Sequence, residues 1–280
     1  MIQSLSAQNA LSSNPVAQPV QQLVSNPDLV ASPAAPSTTP ALPATNAPAM
    51  GMQKPQETTG QAGARSSYSS IHVDGPYIAM TFDDGPDAKL TPKLLDILKE
   101  RHIHVTFFVL GQRVAEHPEI LQRAVAEGHE IGNHSWDHPQ LTKLAEGGLQ
   151  HQMGDTSAAI KQAIGHNPTI MRPPYGATNP RLNRAFEKEY GMKVILWSVD
   201  PFDWKDPGSK VVESRILSGW KESGGAKPGA IILSHDIHKG TVEAMPATLD
   251  ALLAKGYKFV TVSELIAMEK APTPTPAKKP

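Results

Sequence analysis

The feature that most constrains the fold is an alternation of short apolar runs with amphipathic segments across residues 77–268. Seven runs have the length and composition of buried β-strands, and they begin at Tyr77, Val105, Glu130, Thr169, Lys193, Ala230 and Lys258. Strands that alternate with helices form a mostly parallel sheet covered by helices. The pattern therefore predicts an α/β protein with a single (β/α) barrel, distorted and built from about seven strands.

Local end signals support helices between these strands. The segment TPKLLDILKE, residues 91–100, has Thr91 as its predicted N-cap and Pro92 at the first helical position. Two further helical segments end at Gly128 and Gly256, where a glycine can take the left-handed conformation that closes a helix. In barrels of this kind, the chemistry lies in loops at the carboxyl ends of the strands.

Composition divides the chain. Residues 1–66 are rich in Pro, Ala, Ser and Thr, and Asp28 is the one charged residue before Lys54. Such a segment cannot bury enough apolar surface to offset the entropy of ordering it, so a disordered linker is predicted there. The tail APTPTPAKKP, residues 271–280, has the same character. The single globular domain is therefore predicted to span residues 67–270.

Charge and cysteine content exclude several classes of function. The formal net charge of -1 gives no electrostatic basis for a nucleic-acid partner. The absence of cysteine excludes disulfides, thiolate metal ligands and cysteine nucleophiles. No apolar run is long enough to span a bilayer. The segment MIQSLSAQNA has no basic and apolar regions of a signal peptide, although a mature chain whose signal had been removed would look the same.

Polar residues recur where the predicted strands end. They are Asp83, Asp84, His134, Arg172, Asp200 and His235. Because the carboxyl ends of parallel strands meet at one rim of a barrel, this recurrence predicts a site assembled from several loops.

The histidines of HSWDH and the aspartates of TFDDGP have the chemistry of a metal centre. His134 and His138 are four residues apart and can face one ion, and two histidines with one carboxylate leave coordination positions open, as catalytic sites do. A cation would offset the repulsion between Asp83 and Asp84, one as a ligand and the other as a proton acceptor. The alternatives are two surface histidines at chance spacing and an ordinary Asp-Gly turn.

Five motifs together carry a family resemblance. They are, in chain order, TFDDGP, HSWDH, RPPYG, DPFDW and LSH. They resemble the five motifs of the polysaccharide deacetylase family, the NodB-type domain of carbohydrate esterase family four. The resemblance covers residues 77–268, and five motifs in order, each at a predicted strand end, are a specific signal. It implies that residues 67–270 are a catalytic domain.

The resemblance implies a role for each site residue. Asp84, His134 and His138 would hold a divalent metal, usually Zn²⁺ in this family and sometimes Co²⁺ or Ni²⁺. Asp83 would be the general base for the attacking water, and His235 would protonate the leaving amine.

Other positions would support these groups. Arg172 would orient Asp83, Asp200 would tune His235, and the backbone N–H of Tyr175 would help to stabilise the tetrahedral oxyanion.

Substrate contacts are implied for Tyr175 and for Trp204 and Leu233, which would form the walls of a pocket for the acetyl methyl group. Without the motif order, Trp204 and Leu233 would be taken for core residues, and Arg172 for a salt bridge at the barrel rim.

The predicted function is metal-dependent removal of N-acetyl groups from N-acetylglucosamine residues of a polysaccharide, with peptidoglycan first, and release of acetate. The alternatives are a chitin or chitooligosaccharide deacetylase, a xylan O-acetyl esterase, a metal-independent amide hydrolase and a non-catalytic carbohydrate-binding protein. A cell-wall substrate implies an exported protein, in the periplasm, in the cell wall or secreted, and a monomer is expected.

Overall fold

The computed structural model describes residue 65 and residues 67–145, 147–221 and 223–269. Apart from Arg65, the predicted linker 1–66 and the predicted tail 271–280 lie outside the described residues. The predictions of a linker and a tail therefore stay predictions.

The described strands form one parallel sheet and one small hairpin. The strands are β1 (Ser67–Tyr68), β2 (Tyr77–Asp83), β3 (Thr106–Val109), β4 (Glu130–Asn133), β5 (Ile170–Met171), β6 (Lys193–Ile195), β7 (Gly219–Trp220), β8 (Ser223–Gly224), β9 (Ile231–Ile232) and β10 (Lys258–Phe259). The sheet has the order β1-β6-β5-β4-β3-β2-β10, and β9 also pairs with β2. Strands β7 and β8 pair antiparallel. Each of the seven predicted runs contains a strand.

The sheet closes on itself through the chain that follows β6. Val199 forms a parallel bridge to Ile232 of β9, and the N–H of Leu233 donates to the carbonyl of Val199 at 2.9 Å. Strand β9 in turn pairs with β2 through Ala79 and Met80. The predicted distorted barrel of about seven strands is therefore confirmed.

Helices connect the strands. They are α1 (Leu90–Glu100), α2 (Gly111–Glu116), α3 (Pro118–Ala126), α4 (Thr156–Ile164), α5 (Pro180–Tyr190), α6 (Ser209–Ser218), α7 (Lys239–Ala254) and α8 (Val262–Ala267). A π-helical turn, Gln150–Asp155, leads into α4, and short 3-10 turns span Leu141–Lys143, Pro174–Gly176 and Asp203–Lys205. Within the part of the chain that the structure describes, every helix is too short or too polar to cross a membrane.

The start of α1 differs from the prediction. The helix begins at Leu90, so Thr91 lies inside it and is not the N-cap. The carboxylate of Asp87 accepts the N–H groups of Lys89 and Leu90 at 2.9 and 2.8 Å. The carboxylate of Asp87 therefore binds amide groups at the start of the helix that have no partner within it, as a capping side chain does. The Thr91 hydroxyl instead hydrogen-bonds the buried carboxylate of Asp236.

Strand β2 directs its side chains alternately to two cores. Ile78, Met80 and Phe82 are buried in the cluster shared with the covering helices. Ala79 belongs to a second cluster, which draws on β3, β5, β6 and β9. Because side chains alternate along a strand, Asp83 lies on the same face as Ala79, inside the ring of strands. The end of β2 thus brings a carboxylate into the barrel mouth.

Candidate active site

Three side chains converge at the barrel rim. The candidate ligand atoms of Asp84, His134 and His138 all lie within 4.8 Å of one another. Oδ1 of Asp84 is 3.4 Å from Nε2 of His134 and 3.5 Å from Nε2 of His138. This carboxylate oxygen is buried and has no hydrogen-bond partner among the described residues. A buried oxygen of this kind calls for an explanation, and a cation shared with two imidazole nitrogens supplies one. The predicted ligand set therefore fits a divalent metal.

Backbone conformation turns these side chains toward each other. Asp84 and His138 have φ values of 72° and 64°, in the left-handed region that non-glycine residues seldom adopt. The N–H of Asp84 donates to the carbonyl of Phe108 at 3.1 Å, which ties the turn after β2 to the end of β3. Such strained positions persist where the surrounding structure holds them, and they concentrate at functional sites.

The ring of His134 is held in one orientation. Its Nδ1 is 2.7 Å from the carbonyl oxygen of Arg172, so Nδ1 carries the hydrogen and Nε2 presents its lone pair to the cluster. Burial alone would lower the pKa of His134, but the charges of Asp83 and Asp84 outweigh burial and raise it. Binding of a metal cation would require this ring to be neutral, so metal and proton compete for the same nitrogen.

Charge at the cluster favours an ionised Asp84. Burial alone would raise the pKa of Asp84, but its contact with His134 and the charges of His134, His138 and His235 hold the pKa well below the usual range. For His138, burial and the neighbouring His134 lower the pKa. A carboxylate that stays ionised and a histidine that stays neutral are both in the state that ligates a metal.

Asp83 is paired with a fully buried arginine. Nη1 of Arg172 donates to Oδ1 of Asp83 and to Oγ1 of Thr81, both at 2.7 Å. The guanidinium lies over the ring of Phe108, 4.2 Å from its centroid. The second oxygen of Asp83 is 3.7 Å from Nε2 of His134. Arg172 thus holds one oxygen of Asp83 and leaves the other facing the metal cluster.

His235 lies on the other side of Asp84. Its Nε2 is 4.0 Å from Oδ2 of Asp84, and its Nδ1 is 2.8 Å from Oδ1 of Asp203. Thr241 donates to the second oxygen of Asp203 at 2.7 Å. Burial alone would lower the pKa of His235, but the hydrogen bond to Asp203 and its charge raise it to about 9.

The support of His235 corrects one prediction. Asp200 was expected to tune this histidine, and Asp203 makes the contact instead. Phe202, at φ 52°, turns the chain into the one-turn helix Asp203–Lys205, which directs the second acid of DPFDW inward. The carboxylate of Asp200 accepts the N–H of Phe202 at 2.7 Å, and burial raises the pKa of Asp200. Sequence reasoning could have found Asp203 from the presence of two acids, three residues apart, in one motif.

The predicted pocket residues lie at the same rim. The ring of Tyr175 is 4.6 Å from that of His138 between centroids, and its backbone is left-handed at φ 61°. Trp204 follows Asp203 and is 49% exposed, whereas Leu233 is buried just after β9. The methyl pocket and the oxyanion contact stay predictions.

By fold and site, this is a barrel protein with a candidate metal centre at its rim. The family model described as polysaccharide deacetylase matches residues 71–195. The solved structure of "T48 deacetylase with substrate" is 43% identical, with a TM-score of 0.64, over 70% of this chain and 93% of that one. The chain belongs to the polysaccharide deacetylase family.

Two curated relatives are named as peptidoglycan deacetylases. The peptidoglycan-N-acetylglucosamine deacetylase PgdA of Listeria monocytogenes is 45% identical over 67% of this chain and 38% of its own length. The peptidoglycan-N-acetylmuramic acid deacetylase PdaC of Bacillus subtilis is 43% identical over 69% of this chain and 39% of its own length. The chain thus spans about two fifths of the length of these relatives.

Proposed function

We propose that this chain hydrolyses the N-acetyl groups of N-acetylglucosamine residues in peptidoglycan and releases acetate, with the help of a bound metal. The observation that carries the proposal is the position of the cluster Asp84, His134 and His138 between two proton-transfer candidates. Oδ2 of Asp83 is 3.7 Å from Nε2 of His134, and Nε2 of His235 is 4.0 Å from Oδ2 of Asp84.

Amide hydrolysis needs an activated water, stabilisation of charge at the carbonyl oxygen, and an acid for the leaving amine. A divalent cation held by the cluster supplies Lewis acidity, which acidifies a water molecule and polarises the acetyl carbonyl. Asp83 is the proposed general base, because Arg172 binds only one of its oxygens and leaves the other to accept a proton.

His235 is the proposed general acid. An amine leaves readily only when it is protonated, and a histidine with a pKa raised to about 9 carries its proton at neutral pH. Because Asp203 binds Nδ1, the proton that can be transferred is on Nε2, which points toward Asp84. The base is the last residue of β2 and the acid follows the adjacent strand β9, where Asp83 bridges to His235 in parallel. They can thus act on the same amide.

We propose Zn²⁺ as the resident ion. Two imidazole nitrogens and one carboxylate oxygen are a donor set that zinc accepts, with a coordination position open to substrate. Co²⁺ and Ni²⁺ accept the same donors and are the alternatives. Metal analysis of the purified protein tests the assignment.

The similarity to peptidoglycan deacetylases favours a cell-wall substrate and an exported protein. Its relatives also supply a second candidate, N-acetylmuramic acid, because PdaC is named for that sugar and is 43% identical. Chitooligosaccharides and acetylated xylan place a similar acetyl group at a pyranose ring and are further alternatives. The expected monomer is tested by sedimentation.

Acetate release from a matched substrate panel tests the proposal. The panel contains peptidoglycan fragments acetylated only on glucosamine, fragments acetylated only on muramic acid, chitooligosaccharides and acetylxylan. We expect the first to be the best substrate and the rate to fall on treatment with a chelator. Binding of sugar without acetate release would favour a non-catalytic binding protein. Equal rates with the metal removed would favour a metal-independent hydrolase.

A further inference from the structure

The π-helical turn Gln150–Asp155 lies against the segment between the two metal-binding histidines. Turns of this width are rare and are frequent at functional sites. Two consecutive side chains of the turn are buried, Gln152 with 5% exposure and Met153 with none. Met153 packs into an apolar cluster with Leu141 and Met171. Gln152 is thus a buried polar side chain next to the loop of residues 135–138.

The side chain of Gln152 is hydrogen-bonded to that loop. Its Oε1 accepts the N–H of Trp136 at 2.8 Å and lies 3.4 Å from the N–H of Asp137. Its Nε2 donates to Oδ1 of Asp137 at 2.8 Å. One carboxamide therefore binds Trp136 and Asp137, two of the three residues that separate His134 from His138.

The loop needs such support because its backbone is strained. Ser135 and His138 both have left-handed φ values, 74° and 64°. A left-handed backbone is unfavourable for a non-glycine residue, so this conformation persists only where other contacts hold it. The Ser135 hydroxyl accepts the N–H of His138 at 3.1 Å, and Asn133 accepts the N–H of Ser135 at 2.8 Å. The N–H groups of Gly111 and Gln112 donate to the carbonyls of Ser135 and Trp136 at 3.0 and 3.2 Å, and Gln152 binds the N–H groups in the middle of the loop.

The two histidines depend on the loop to different degrees. His134 is buried, and the carbonyl of Arg172 holds its ring. The side chain of His138 is 25% exposed, and its ring contacts are with His134 and with the exposed Tyr175. The position of His138 is therefore set mainly by the backbone of residues 135–138.

We propose that Gln152 is a positioning residue that holds His138 at the metal site by fixing the loop of residues 135–138. The inference rests on the proposed function in one respect, that Asp84, His134 and His138 bind a divalent ion. Gln152 touches neither the ion nor the substrate, and it acts through the loop.

The first test replaces Gln152 by methionine, which keeps the volume and removes all three hydrogen bonds. The affinity of the metal-free protein for Zn²⁺ is measured by competition with a chromophoric chelator, and folding is measured by circular dichroism. We expect affinity to fall about 10- to 100-fold, the usual effect of losing a side chain that orients a ligand, in a protein that stays folded. Gln150→Met, in the same turn but exposed, is the matched control and should leave Zn²⁺ affinity unchanged.

The second test exchanges donor and acceptor. Gln152→Glu removes the donor and puts a carboxylate against that of Asp137, so affinity should fall. Adding Asp137→Asn restores the hydrogen bond with its direction reversed, so affinity should recover. If Gln152→Met does not fold, the recovery in this pair decides.

Unchanged Zn²⁺ affinity in folded Gln152→Met would overturn the inference, as would a double variant no better than Gln152→Glu. A parent protein that deacetylates and binds Zn²⁺, with a Gln152→Met variant that binds it equally well, would refute this inference alone. A parent protein without metal-dependent activity would refute the proposed function.

Discussion

The carboxylate of Asp203 binds His235 through both of its oxygens. Oδ1 is 2.8 Å from the ring Nδ1, and Oδ2 accepts the backbone N–H of His235 at the same distance. Asp203 is almost fully buried, and burial would raise its pKa, but the hydrogen bond from His235 lowers it. This pair fixes both the tautomer and the charge of His235, so its effect on pH dependence can be measured.

Replacing Asp203 by asparagine should move the alkaline limb of the pH profile. The raised pKa keeps His235 protonated up to about pH 9, and activity that needs this proton is lost as the pH rises through that value. Without the carboxylate the pKa should return to its ordinary value near 6.5 or below, so kcat/KM at pH 8 should fall about 30-fold. The measurement is kcat/KM for acetate release between pH 5 and pH 10.

Asp200→Asn is the control for this experiment, because Asp200 has the same chemistry but does not bind His235. It should leave the alkaline limb in place. A shift of that limb in Asp200→Asn but not in Asp203→Asn would restore the original assignment of Asp200.

Metal binding and proton transfer should separate in two variants. Asp83→Asn leaves the ligand set intact, so it should retain Zn²⁺ after dialysis while kcat falls about 10²- to 10⁴-fold, the usual contribution of a general base. His134→Ala removes a ligand and should lose the metal. Zinc content by elemental analysis, with acetate release on the same samples, makes the comparison. A near-normal rate in Asp83→Asn would contradict its role as base.

The buried pair of Arg172 and Asp83 should dominate the stability of the barrel mouth. Arg172→Met keeps an extended side chain but leaves Asp83 as an uncompensated buried charge, which typically costs about 3–5 kcal/mol. Urea unfolding of the metal-free proteins measures the loss. Adding Asp83→Asn removes that charge, so the double variant should recover part of the stability. A double variant less stable than Arg172→Met would argue against charge burial as the cause.

Stability should also fall in acid because of His129, which lies at the opposite end of β4 from the metal-ligand candidate His134. This histidine is 5% exposed, and its Nδ1 accepts the N–H of Val105 at 3.2 Å. Burial, with a smaller effect of His104, lowers its pKa to about 4. In the unfolded chain His129 binds a proton near pH 6.5, and in the native state near pH 4. Its contribution to the free energy of unfolding is therefore fully present above pH 6.5 and is lost as the pH falls from 6.5 to 4. The loss is about 3 kcal/mol in all.

His129→Asn isolates this effect, because the asparagine oxygen can replace Nδ1 as an acceptor and does not titrate. Urea unfolding at pH 7 and at pH 4.5 should show a smaller loss in the variant than in the parent. Equal losses would show that other groups control the acid sensitivity.

Much of this architecture could be predicted from local pattern. The seven apolar runs predicted the strands, because buried parallel strands need continuous apolar stretches whatever surrounds them. The polar residues that end those runs met at one rim, because parallel strands place their carboxyl ends together. Topology therefore brought Asp84, His134 and His138 to one rim, and the left-handed backbone at Asp84 and His138 turned their side chains toward each other.

Other features were decided by contacts distant in sequence. The carboxylate of Asp87, and not Thr91, caps the first helix. The Thr91 hydroxyl hydrogen-bonds the buried carboxylate of Asp236, 145 residues away. Gln152 reaches the loop of residues 135–138 because it lies in a π-helical turn. The spacing of apolar residues in the sequence did not indicate that turn.

Local pattern was enough to predict seven strands and the polar residues that follow them, because these depend on neighbouring residues and on the alternation of side chains along a strand. The acid of DPFDW that supports His235 could not be chosen in this way. That choice depends on the left-handed backbone of Phe202, whose ring packs against Trp220, and on the position of a histidine 32 residues further along the chain.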